Sequence, residues 1–180
     1  MQIHKTKFAQ TKIDLITSQG KDKLQVVADF DGTLTPEYDS NGIALPTGVA
    51  LIRESNLLGE DYKQKAKELF EYYHPFEKDH NLDLETKKEL MFTWWKKHRR
   101  LMVDSGISQE IIYQITKGNT KIFRENVLEF FQLLNASNIP LLILSAGIGN
   151  VIDNLMLQNQ FTYPNIHIIP IPLTTPTSTN

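Results

Sequence analysis

Two carboxylates one residue apart, Asp29 and Asp31, follow the apolar run Leu24-Gln25-Val26-Val27-Ala28. A short β-branched run of this kind reads as a buried strand. Ligands of open α/β sheets bind beyond the carboxyl ends of strands. Asp29 sits at such an end, and Asp31, two residues on, can face the same crevice. Gly32 lets the backbone turn away sharply, and the Thr33 hydroxyl can anchor the turn or meet a ligand oxygen. Close carboxylates repel unless a cation lies between them or one keeps its proton. A hard, oxygen-liganded ion such as Mg²⁺ suits the first option, with Asp29 and Asp31 as ligands. Asp29 can then attack phosphorus, and Asp31 can protonate the leaving oxygen and later deprotonate a water. Asp and Gly at a strand end also make ordinary turns, so the pair needs context.

A second strand end supplies it. Ser145 follows Leu141-Leu142-Ile143-Leu144 and precedes a helical stretch. A hydroxyl with exposed amides at a helix start is an anion site, which makes Ser145, Ala146 and Gly147 a candidate phosphate cradle. Serine there is equally an ordinary helix cap.

Other elements must hold these groups in place. Lys7 to Gln19 has loose helical spacing, with Gly20 as its stop. From Pro36 to about Lys121 the chain reads as mostly helical. Pro46-Thr47 opens a helix to Leu58 that Gly59 closes. Asp61 to Tyr73 is a second helix, with Pro75 as its break. Asp83 to Val103 is a third, with Leu84, Met91, Trp95, His98 and Met102 along one side. Ser108 caps a short helix through Ile115. A helix through Val127, Phe130, Phe131 and Leu134 leads to the strand Leu141–Leu144. The helix Ile148–Gln158 and the strand Ile166–Ile169 follow. Strand–helix alternation argues for an α/β fold with a Rossmann-like parallel sheet. The division is residues 1–35 and 122–169 as the α/β core, 36–121 as a helical cap inserted after the first strand, and 170–180 as an uncharged, low-complexity tail.

Composition narrows the class. The chain has 180 residues, 41% hydrophobic and 22% charged, enough for one domain carrying an insertion and too apolar for disorder. No apolar run is long enough to span a membrane, and no apolar signal region follows Met1. There is no cysteine, which excludes a disulfide scaffold, a thiolate zinc site and a Cys nucleophile. A net charge of −2 with mixed signs leaves no footprint for a nucleic acid polymer. The five histidines lack ligand spacing, and no P-loop or dinucleotide fingerprint is present. The expectation is a soluble cytoplasmic monomer with no membrane partner.

The string Val26-Val27-Ala28-Asp29-Phe30-Asp31-Gly32-Thr33-Leu34-Thr35 resembles motif I of the haloacid dehalogenase superfamily, and Ser145 matches its motif II. Ser145-Ala146-Gly147-Ile148-Gly149 narrows the resemblance to the cytosolic pyrimidine 5′-nucleotidase (type III nucleotidase) family. So do Tyr72-Tyr73-His74-Pro75-Phe76-Glu77-Lys78-Asp79 and Met91-Phe92-Thr93-Trp94-Trp95-Lys96. Thr93 departs from that family's pattern, which has Glu there. The resemblance implies that Asp29 is the nucleophile and Asp31 the acid/base. It implies Mg²⁺ on the Asp29 side chain and the Asp31 carbonyl. It gives Glu77 a contact to the base, and the cap supplies aromatic groups in Trp94, Trp95, Tyr72, Tyr73 and Phe76. Adjacent tryptophans on a helix point about 100° apart, so one is expected to face the pocket, and spacing with His98 and Met91 favours Trp95.

The implied activity is Mg²⁺-dependent hydrolysis of nucleoside 5′-monophosphates through an aspartyl phosphate. The substrate is of pyrimidine type, with 7-methylguanosine monophosphate as a further candidate. The family also uses a downstream Lys and a Gly-Asp-x-x-x-Asp pair, and neither follows Ser145. The chain therefore reads as C-terminally truncated relative to the family, with an incomplete sheet. An inactive fragment, a binding protein, or a phosphatase of another small ester are the alternatives.

Overall fold

Three apolar segments build the sheet, because each is short, β-branched and free of charge. The computed structural model of the chain describes residues 7–117 and 123–171. Strands β1 (Val26–Ala28), β2 (Leu141–Ile148) and β3 (Ile166–Ile171) lie parallel in the order β1-β2-β3. Val26 pairs with Leu141, and Leu141 with Ile166, so the three strands start level. Parallel neighbours need crossovers. Between β2 and β3 the crossover is α7 (Gly149–Gln158). Between β1 and β2 the chain runs through α2 (Gly48–Glu54), α3 (Glu60–Lys78), α4 (Leu84–Asp104), α5 (Gln109–Thr116) and α6 (Val127–Ala136). An N-terminal helix α1 (Lys7–Gln19) forms as expected, but none of its residues is buried.

Alternation along β2 sends Leu141 and Ile143 into the core. There they join Val151, Ile152 and Leu155 of α7 and Phe131 of α6, all essentially buried. An edge-to-face run of rings, Phe30–Phe123–Phe161–Phe131, extends this core to the turn after β1. Polar side chains open the helices of the insertion: Thr47, Asp83 and Ser108 accept from the amides of Ala50, Thr86 and Ile111.

Several expected boundaries move. α2 stops at Glu54, and Gly59, at φ 84°, precedes α3 rather than closing α2. α3 does not break at Pro75 but passes through it. Ring pairs at i,i+4 support that turn: Phe70 with His74 (4.4 Å) just before the proline, and Tyr72 with Phe76 (5.6 Å) across it. Leu84, expected on the packed side of α4, is exposed at the first residue of that helix. β2 continues past Leu144 to Ile148, so Ser145 lies in extended chain. β3 reaches Ile171, so the first two residues of the expected tail belong to the strand. Residues 172–180 of that tail, and 118–121 of the expected cap, lie outside the described residues.

α3 and α4 pack through a buried polar pair, Tyr62 Oη with His98 Nε2 at 3.0 Å. Burial, with the Arg53 charge adding to it, holds the His98 pKa down at about 4, against an ordinary 6.5. The fold therefore selects neutral imidazole. Its contribution to stability is complete above pH 6.5 and is lost as pH falls from 6.5 to 4, because the unfolded chain takes up the proton first. Across that window His98 is expected to remove about 3 kcal/mol of unfolding free energy. Urea titrations at stepped pH check this, and His98→Gln should flatten the slope.

Candidate active site

The turn after β1 is built by residues of opposite character. Asp29 and Asp31 have extended backbone angles on either side of Phe30. Phe30 is fully buried and anchors the turn in the core. Gly32 takes φ 73°, which reverses the chain. The closing bonds come from Thr35, whose N–H donates to the Phe30 carbonyl (3.1 Å) and whose Oγ1 accepts from the Gly32 amide (3.1 Å). The expected anchor, Thr33, is exposed, and only its carbonyl is engaged. Arg124 clamps the outside of the turn: Nε donates to Thr33 O (2.9 Å) and Nη2 to Gly32 O (2.7 Å).

Asp31 is partly buried, and Gly48 N–H at the start of α2 donates to its Oδ1 (3.1 Å). Gly48 allows this approach by packing tightly on α7, where a Cβ would meet Val151 Cγ1 at 3.3 Å. Burial pushes the Asp31 carboxyl above the usual carboxylate range. The Gly48 bond pulls it back and the neighbouring Asp29 charge pushes it further up. Asp31 is thus biased toward holding a proton.

Ser145 does not cap α7. That position belongs to Ile148, with no side-chain bond. The Ser145 Oγ instead accepts from Gly147 N–H (3.0 Å), which occupies one of the amides expected to face phosphate. A Cβ on Gly147 would lie 3.1 Å from Ser145 Oγ and 3.5 Å from Asp31 Oδ2. The hydroxyl and the carboxylate therefore converge on the space that the missing side chain leaves open.

A cavity of about 670 Å³ opens over this point. Asp29, Asp31, Ser145, Ala146 and Gly147 line one part of it, and Glu77 and Trp95 of the helical segment line another. Trp94 lines it too, so both tryptophans reach a cavity for which one was expected. The reason is that Phe70 and Tyr73 of α3 pack on Trp94, at 6.1 and 6.0 Å, which brings its side of α4 over the opening. Tyr72, Tyr73 and Phe76 do not line it; Tyr73 is buried between the helices and Tyr72 is exposed.

Four contributors were absent from the sequence reading: Thr35, Gly48, Arg124 and Arg53. Arg53 lines the cavity with its guanidinium 4.1 Å above the Phe70 ring. An Arg five residues into a helix that starts at a candidate site was the available signal for it.

Among the described residues, no group of three or more His, Cys, Asp or Glu is placed to hold a metal. The Asp29–Asp31 pair nonetheless fits Mg²⁺, which commonly takes one or two carboxylates and completes its shell with phosphate oxygens and water. No helix among the described residues is long and apolar enough to cross a membrane.

Residues 32–174 match the family model "Pyrimidine 5′-nucleotidase (UMPH-1)". A 7-methylguanosine phosphate-specific 5′-nucleotidase of Gallus gallus is 36% identical over 157 residues, which is 87% of this chain and 54% of that protein. The Homo sapiens protein of the same description is 32% identical over 160 residues, 89% of this chain and 53% of its own length. A crystal structure of cytosolic 5′-nucleotidase IIIB bound to cytidine superposes with a TM-score of 0.85 at 28% identity. That likeness covers 95% of this chain and 57% of the other. The chain thus spans about half the length of the curated relatives it matches.

Gly147→Ala tests the convergence on Gly147. The added methyl is expected to displace the Ser145 hydroxyl and weaken inorganic phosphate binding roughly tenfold or more, about 1.4 kcal/mol. Calorimetric titration with phosphate and Mg²⁺ measures it, with the melting curve as the control for folding.

Proposed function

Because the chain belongs to the pyrimidine 5′-nucleotidase family, we propose that it carries the nucleophile and the nucleoside-binding wall of a site that hydrolyses nucleoside 5′-monophosphates. The observation that carries this reading is the convergence of Asp31 Oδ2 and Ser145 Oγ on the open space at Gly147, inside a cavity that also takes in Asp29 and Trp95.

The phosphate lies at the carboxylate end, with the Ser145 hydroxyl donating to one of its oxygens. A carboxylate oxygen of Asp29 bonds to phosphorus as the bond from phosphorus to the 5′ oxygen breaks. Asp31, whose carboxyl burial pushes above the usual carboxylate range, gives a proton to that leaving oxygen, and the nucleoside departs. A water then attacks phosphorus and gives one of its protons to Asp31, the bond between phosphorus and the Asp29 oxygen breaks, and phosphate leaves with the Asp29 carboxylate restored. Mg²⁺, when bound by Asp29 and the Asp31 carbonyl, supplies positive charge against the phosphoryl oxygens and relieves repulsion with the nucleophile. The Gly48 amide keeps one Asp31 oxygen fixed, so the other faces the reacting atoms. Trp94 and Trp95 offer faces to the base, and Glu77 can accept from a base N–H or amine.

Asp29→Asn is expected to lower phosphate release from nucleoside monophosphates with Mg²⁺ by roughly three orders of magnitude or more. Unreduced release by this variant contradicts the assignment.

A further inference from the structure

The aromatic end of the cavity already holds a cation of its own. Arg53 lies in the last turn of α2, five residues beyond the Gly48 that bonds Asp31. At about 1.5 Å rise per residue, it starts roughly 7 Å along the helix from the carboxylate end. Its side chain is only 17% exposed. The guanidinium stacks 4.1 Å over Phe70, and Phe70 in turn meets Trp94 and His74. Among the described residues its one ion-pair contact is Glu54 Oε1 at 3.5 Å, a side chain that is 63% exposed. Such a pair is long and solvated, so it leaves the charge largely uncompensated. Among the described residues the guanidinium makes no hydrogen bond, and Arg53 lines the cavity.

Resting on the nucleotidase reading, we propose that Arg53 sets base specificity, selecting a neutral nucleobase with hydrogen-bond acceptors and rejecting a cationic, 7-methylated guanine. A guanidinium carries donors only. It therefore pairs with acceptor edges such as cytosine O2 and N3 or guanine O6 and N7. Methylation at N7 removes one of those acceptors and places a positive charge on the ring. Two cations in a half-buried aromatic pocket repel, and the cation–π surface a methylated base would use on Phe70 is taken by Arg53. Lys78 adds a second positive charge to the lining, while Glu37, Glu54 and Glu77 add negative charge. Of these groups only Arg53 is shown stacked on a ring of the cluster. The Gallus gallus and Homo sapiens relatives carry the description 7-methylguanosine phosphate-specific, so the inference separates this chain from them in substrate.

Calorimetric titration of the whole chain in Mg²⁺ with guanosine 5′-monophosphate and 7-methylguanosine 5′-monophosphate tests this, with inorganic phosphate as a control titrant. The wild-type chain is expected to bind the unmethylated nucleotide at least about tenfold more tightly. Arg53→Gln should bring the two affinities to within about threefold, whereas Arg53→Lys, which keeps the charge, should still reject the methylated base. Equal affinities in the wild type, or a ratio unchanged in Arg53→Gln, overturn the role of Arg53 and leave the nucleotidase reading standing. Binding of phosphate but of neither nucleotide overturns the nucleotidase reading itself.

Discussion

Two carboxylates held side by side repel each other, and the rest of this structure serves to keep Asp29 and Asp31 together. Phe30 between them is driven into the core and anchors the turn, while both aspartates line the cavity. Thr35 closes the turn from within, Arg124 grips two of its carbonyls from outside, and Gly48 spends an amide on Asp31. Each of these bonds places a donor where it offsets negative charge or orders the backbone that carries it. The outcome is an unequal pair: burial favours the proton on Asp31, while Asp29 is exposed to the cavity.

The helical segment turns a strand-end crevice into a chamber with two unlike ends. Carboxylates, a hydroxyl and a glycine make up one end; tryptophans, Phe70 and Arg53 make up the other. α3 and α4 are joined by the Tyr62–His98 bond and the Tyr73–Trp94 stack. α2 links the two ends directly, with Gly48 at Asp31 and Arg53 on Phe70. One short helix thus couples the chemistry to whatever part of the substrate is not phosphate.

Much of this was legible from the residues alone, for a physical reason. The Asp29–Asp31 spacing, the apolar strands and the Ser145 turn are local patterns, and local patterns survive in one dimension. Pro75 signals a break because a proline removes one hydrogen bond, but the helix passes through it, with one ring pair before the proline and one across it. Gly59 was read as the end of one helix and instead precedes the next, since glycine at positive φ serves either purpose. Arg124 and Thr35 could not be found by pattern. The clamp on Gly32 and Thr33 spans more than 90 residues of chain. Arg53 looked like one charge on a helix until folding laid it on Phe70.

The central claim is that Asp29 itself takes the phosphoryl group. Acid quenching during incubation with a nucleoside 5′-monophosphate and Mg²⁺, followed by peptide mass spectrometry, reads this directly. The account predicts a hydroxylamine-sensitive phosphoryl group on the peptide carrying Asp29, absent in Asp29→Asn. A phosphoryl group on Asp31 or Ser145, or nucleoside release with Asp29 never modified, would contradict it.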